Sequence, residues 1–267
     1  MLKRLLISII FTLISSHALA SNPSSLGVLE LAFSDGRPAV NGIQNVNNAL
    51  KGIGVKVTEA SIPNNVQDVL ERSKKQALSK QDQSLLLETF ALHRGELLQQ
   101  IEIAGREPAV PRGGLLSTSE PNVSPYPKVY DMKSMSEETK YFLQHKFGKL
   151  HVNSSDSGEG IDEVMTIISG GQWTWFFVLE DGVVGKLTLG YVDRESSAWR
   201  ISYPGLVPHG GFFDADYGLV VAHAHGPENF IMRYEDPSVN WSDSLGANPW
   251  IDFSKEIPVL LKETASF

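Results

Sequence analysis

Two β-rich runs joined at Asp181-Gly182 constrain the fold of this chain most tightly. Residues 172–180 and 183–193 are dense in aromatic and β-branched side chains. An Asp-Gly pair between such runs specifies a hairpin, because glycine enters the left-handed backbone region without steric cost. Runs of the same kind recur at 149–153, 163–169, 199–203, 219–225 and 230–234. Short strands separated by turn residues predict about six antiparallel strands closing into a barrel or sandwich.

The first half reads differently. Residues 26–33 form a strand ended by the turn Asp35-Gly36-Arg37-Pro38. Residues 41–53 follow as a helix, with Ile43, Val46 and Leu50 at helical spacing and Gly54 as its stop. Residues 55–60 form a second strand, giving a short β-α-β start. Pro63 opens a helix running to residue 78, and 81–104 reads as one longer helix with Leu85, Leu86, Phe90, Leu97, Leu98 and Ile101 as its apolar stripe. Ser134 with Glu137 forms a capping-box pattern for a helix over 134–147, stopped by Gly148. Residues 108–130 carry five prolines and Gly113-Gly114, and read as a connection or a lid. The fold class is therefore α+β: an N-terminal mostly helical region over 21–107, and a C-terminal antiparallel β barrel or sandwich over 131–267.

Residues 1–20 have the form of a secretory signal peptide. Lys3 and Arg4 supply the charged end, residues 5–14 the apolar stretch, and Ala18-Leu19-Ala20 the small-residue cleavage site. The apolar stretch is too short to span a bilayer, and no second one is longer, so no transmembrane segment is expected after cleavage. Cysteine is absent, which excludes disulfides, thiolate metal sites and cysteine nucleophiles. An exported chain without cysteine fits a bacterial periplasmic or secreted protein. The net charge of −8 and the lack of a basic tract argue against nucleic acid as a partner and leave a small molecule as the expected one.

Residues 203–230 hold three of the seven histidines: His209, His223 and His225. On a strand, His223 and His225 point to one face. Glu228 follows a Gly-Pro turn that could return it to them, and His209 precedes Gly210-Gly211, where the backbone can approach a ligand closely. Imidazole and carboxylate donors in this number suit one divalent metal: Fe, Mn, Ni or Zn. Metal-free and structural readings of the same residues stand beside this one, since a histidine on a half-buried strand is often a hydrogen-bonding core residue. Asp214, close behind His209, and Glu228 are the carboxylates placed to work with it in acid–base chemistry.

Two stretches resemble the cupins. Phe176 to Gly190, FFVLEDGVVGKLTLG, is similar to the strand-turn-strand core of that family, and Ser202 to Phe212, SYPGLVPHGGF, to its second motif, with His209 in the histidine place. The resemblance implies a small barrel around a metal or small ligand. The family's first motif would place two histidines and a glutamate before the hairpin, where this chain has Trp173 and Trp175. Here the His-x-His pair comes after His209.

Trp173, Trp175 and Phe177 share one strand face, suited to core packing or to stacking a ligand. The acidic stretch 156–163 offers oxygen donors for a calcium ion or reads as a solvated loop, without EF-hand spacing. No G-x-S-x-G, H-E-x-x-H or P-loop pattern is present. The functional expectation is an exported small-molecule protein with a histidine-lined pocket in its β half. It would be a metal-dependent lyase, isomerase or oxygenase, or alternatively a non-catalytic ligand-binding or envelope accessory protein.

Overall fold

The computed structural model describes residues 27–108, 127–192, 197–227 and 230–262. In chain order the elements are β1 (Leu29–Phe33), β2 (Val40–Asn41), α1 (Ile43–Leu50), β3 (Lys56–Ser61), α2 (Gln67–Ser73), α3 (Lys80–Thr89) and α4 (Arg94–Ile103). These are followed by β4 (Lys128–Asp131), α5 (Glu137–Gly148), β5 (Val152–Ser154), β6 (Asp162–Gly170), β7 (Trp173–Val178), β8 (Val184–Leu189) and β9 (Ser197–Tyr203). Last come β10 (His209–Phe212), β11 (Gly218–His225), β12 (Ile231–Arg233), β13 (Ile251–Asp252) and β14 (Val259–Leu260).

Two five-stranded antiparallel sheets dominate, ordered β10-β7-β8-β1-β2 and β3-β9-β6-β11-β4. Their facing sides share one apolar core: Leu31, Trp173, Phe177 and Leu187 from the first meet Val57, Ile167, Ile201 and Val220 from the second. The architecture is a mixed α+β chain built on an antiparallel β sandwich. No helix among the described residues is long and apolar enough to cross a membrane.

The hairpin at Asp181-Gly182 forms as the sequence dictates. Gly182 takes φ 81°, its N–H donates to Leu179 O at 2.9 Å, and β7 and β8 pair from Val178↔Val184 onward. The short β-α-β start is corrected by strand pairing. β1 pairs with β8 in one sheet and β3 with β9 in the other, so α1 carries the chain from sheet to sheet. Both halves of the sequence thus contribute strands to both sheets, across the connection expected at 108–130.

The helix expected over 81–104 breaks into α3 and α4. His93 N–H is held by Glu96 Oε2 at 2.9 Å, which starts α4 afresh, and Leu92 N–H donates to His223 Nε2 at 3.3 Å across the fold. Ser136, not Ser134, caps α5, accepting from Thr139 N–H at 3.1 Å; Ser134 Oγ donates instead to Asp131 O. β10 is only four residues long and has no β-branched residue, so propensity alone does not announce it.

Candidate functional site

The register of β10 on β7 aims His209 inward. His209 pairs with Phe177 and Gly211 with Trp175, and directly opposed residues share a face. From the other sheet, Glu163 of β6 pairs with Tyr203 of β9 and with Ala224 of β11, so these three also face inward. Between the sheets lies a cavity of about 40 Å³. Its polar lining is His151, Asn153, Glu163, Tyr203 and His209, and Tyr130, Phe147, Met165, Trp175, Phe213 and Met232 form apolar walls.

The two imidazoles are oriented alike. His209 Nδ1–H donates to Val207 O at 2.7 Å, and His151 Nδ1–H donates to Lys149 O at 2.7 Å. Each bond fixes the tautomer and leaves Nε2 as a lone-pair donor. The rings stand 4.6 Å apart between centroids, held as neighbours by the mutual backbone bonds of His151 and His209. Burial first, and His209 second, push the His151 imidazole well below its ordinary value, so it stays neutral.

Glu163 Oε2 stands 3.4 Å from His209 Nε2. The Asn153 amide bridges them, Nδ2–H donating to Glu163 Oε2 at 2.6 Å and to His209 Nε2 at 3.0 Å. A carboxylate only accepts, which sets the amide orientation. It leaves Asn153 Oδ1 buried with no hydrogen-bond partner. Tyr203 borders His209, with ring centroids 4.8 Å apart. Burial, then the Glu163 carboxylate, raise its phenol well above the ordinary tyrosine range, so it keeps its proton.

His223 and His225 do share a face, as their spacing requires, but it is the opposite one. Ala224 turns inward beside Glu163, so its two neighbours turn outward. His223 meets the α3–α4 turn through Leu92 N–H. The structure therefore does not bring the expected metal set together: the β3-β9-β6-β11-β4 sheet lies between His209 on one side and His223 with His225 on the other. Glu228, named both as metal ligand and as catalytic carboxylate, lies outside the described residues. Asp214 sits in the exposed turn after β10 and does not line the cavity. Trp175 lines it; Trp173 does not, its ring packing beneath Gly218 with Nε1–H donating to Ser169 O at 3.3 Å.

Residues 156–163 divide in the structure. Glu159 closes a local turn with Ser155, whereas Asp162 and Glu163 open β6 and are buried. His151, Asn153 and Glu163 are the pocket residues that reading the sequence missed. The alternation His151-Val152-Asn153 was the local signal for the first two, and Glu163 stood at the end of the acidic stretch read as a calcium-binding or solvated loop.

No protein-family model and no curated protein sequence matches the chain. Among solved structures, acireductone dioxygenase from Bacillus anthracis, with a cadmium ion in its active centre, is similar with a TM-score of 0.50 and 15% identity. The similarity covers 77% of this chain and 97% of that one. That neighbour is a cupin-fold protein, and the likeness is one of fold: the sandwich described above is cupin-like. The expectation of a cupin-like β architecture holds over far more of the chain than the two motifs that suggested it.

The neighbour's centre holds a cadmium ion, and the donors of this cavity can be compared with what such an ion takes. Among the described residues no group of three or more His, Asp or Glu side chains forms a ready-made ion cage. The pocket instead gathers two imidazoles, one carboxylate and the orphaned oxygen of Asn153. The donor types are those that Fe, Mn, Ni or Zn take, but the described residues do not arrange three of them around one point.

Proposed function

We propose that this chain is an exported metal-dependent enzyme acting on a small molecule, of the lyase, isomerase or oxygenase kind, with its centre in the cavity between the sheets. The observation that carries this reading is the pair of Nδ1-anchored imidazoles, His151 and His209, side by side in one cavity with His209 Nε2 3.4 Å from the buried Glu163. The metal-bearing centre of the structural neighbour supports it. His151, His209 and Glu163 would hold the ion only after a local rearrangement, because the Asn153 amide now donates to both Glu163 Oε2 and His209 Nε2 and the described residues do not yet set three such donors around one point. A divalent ion there would supply Lewis-acid polarisation of a bound oxygen.

The protein's own residues then have definite tasks. Tyr203 keeps a phenolic proton next to Glu163, ready to donate a hydrogen bond. Phe147, Met165, Trp175 and Phe213 keep bulk water away, which strengthens every electrostatic contact inside. Size also favours an ion. A cavity of about 40 Å³ holds an ion and a few waters, and a whole metabolite, which needs roughly 300 Å³ or more, would have to bind over its mouth. A non-catalytic binder using Trp173 and Trp175 as a platform is less well supported, because Trp173 is locked in the core.

The test is metal analysis of the untagged protein, followed by titration with Fe²⁺, Mn²⁺, Ni²⁺ and Zn²⁺. One ion per wild-type chain is expected, with loss in His209→Ala and retention in His223→Ala. Equal metal in wild type and His209→Ala would sink the reading. Export is proposed from residues 1–20 alone. N-terminal sequencing of the protein from a periplasmic fraction should begin at Ser21, and an intact Met1 would contradict it.

A further inference from the structure

A second concavity lies on the outer side of the sandwich, between the β7–β8 turn and the segment after β12. It encloses about 520 Å³, within the roughly 300–1,000 Å³ typical of small-molecule sites. Trp241 stands in it. Its backbone sits at φ 61°, ψ 33°, the left-handed region that bulky residues seldom enter. Its side chain is placed with equal care. The indole lies flat against Gly182, where a Cβ would stand 2.9 Å from Cζ3, so the turn must be glycine for the ring to rest there. One face of the indole is thus supported and the residue remains 47% exposed. That is a rigid apolar plate held open at a groove.

The polar groups around it are few. Glu180 is the charged side chain of the lining, and it folds across Gly52, which leaves no room for a Cβ there. Ser238 contributes a hydroxyl whose own proton goes to Asp236 Oδ1 at 2.6 Å, leaving its lone pairs to accept. Asn240 contributes an amide. An anion is disfavoured by Glu180. A quaternary ammonium is best held by several rings together, and here there is one. A neutral sugar fits both parts of the lining: its C–H face lies on an indole, and its rim of hydroxyls donates to a carboxylate and exchanges bonds with hydroxyl and amide groups.

We propose that this groove binds a neutral pyranoside, with Trp241 as the stacking face and Glu180, Ser238 and Asn240 as hydroxyl partners. The site does not depend on the metal reading. It does adjoin that centre, because Val207 and Pro208 line the groove while Val207 O anchors His209.

Isothermal titration of the full mature protein with cellobiose, maltose and N,N′-diacetylchitobiose tests the proposal. At least one should give saturable binding. Trp241→Ala should weaken it roughly tenfold or more, the loss of one aromatic contact, with an unchanged melting temperature. Glu180→Gln and Asn240→Ala should each weaken it several-fold, and they carry the test if Trp241→Ala fails to fold. The proposal is overturned if none of the three sugars binds. It is equally overturned if binding survives all three substitutions, or if tetramethylammonium chloride binds where the sugars do not.

Discussion

His223 carries no charge in the folded chain at neutral pH. Burial, and then Arg200 nearby, bring its imidazole down from 6.5 to about 4. Its Nε2 also accepts from Leu92 N–H, a bond that a proton on Nε2 would abolish. The folded value lies below the unfolded one, so the unfolded chain binds the extra proton first. Stability is therefore full above pH 6.5 and falls as the pH drops toward about 4, below which the difference stays constant. A shift of this size corresponds to roughly 3 kcal/mol at most. Urea denaturation of wild type against His223→Gln, compared at pH 7 and pH 4.5, should show a smaller acid loss in the variant, whose amide oxygen accepts from Leu92 N–H without titrating. Identical pH profiles would mean that His223 does not titrate in this window. The same residue shows what the sequence could tell. The i, i+2 spacing of His223 and His225 places them on one face, correctly. Both faces of β11 are buried, so no polar–apolar alternation tells inward from outward. Only the pairing of Ala224 with Glu163 decides it, and that is a long-range fact.

At the scale of elements, β10 explains the two glycines after His209. Gly210 faces outward under the end of α5, where a Cβ would stand 2.9 Å from Phe147 O and 3.3 Å from Gly148 O. Gly211 faces the cavity, where a Cβ would have no neighbour nearer than Trp175 Nε1 at 3.8 Å. The two substitutions should therefore separate. Gly210→Ala pushes α5 off the strand that carries His209, and should cost roughly 1–3 kcal/mol, measurable by thermal denaturation, as an overpacked core does. Gly211→Ala should leave stability within about 0.5 kcal/mol while narrowing the cavity, visible as weaker metal or ligand binding. A second element, the β13–β14 hairpin, is fastened by Lys186. Its ammonium donates to Leu261 O at 3.1 Å and Lys262 O at 2.9 Å, and stands 4.1 Å from the Trp250 ring centroid. Lys186→Met keeps the apolar stem but loses these contacts, so amide exchange over 251–261 should quicken while that of β6 and β11 is unchanged. The histidine-glycine-glycine string was legible as a place where a backbone comes close to something. That the something is the end of a helix was not, because β10 lacks the residues that mark a strand.

At the scale of the molecule, the compositional break at 108–130 suggested a helical half packed on a β half. The sheets are cut differently. β1 lies between β8 and β2, and β3 forms the edge beside β9, so strands from before the break complete both layers. Leu29, Leu31, Phe33 and Val57 on those strands are buried in the same core as Trp173 and Ile201. Antiparallel β structure was readable from local runs, but strand order was not, because partners far apart in sequence leave no local trace. A fragment of residues 131–267 would leave β8 and β9 as open edges and expose the apolar side of both sheets. Removing four such side chains, each worth roughly 1.5–3 kcal/mol when buried, takes away about as much as the whole stability of a typical domain. Expressed alone, 131–267 should show no cooperative thermal transition and should aggregate. Adding residues 27–108 as a separate chain should restore part of the folded signal by strand pairing. A soluble, cooperatively melting fragment would show instead that the β half is a domain in its own right, and that β1 and β3 only cover it.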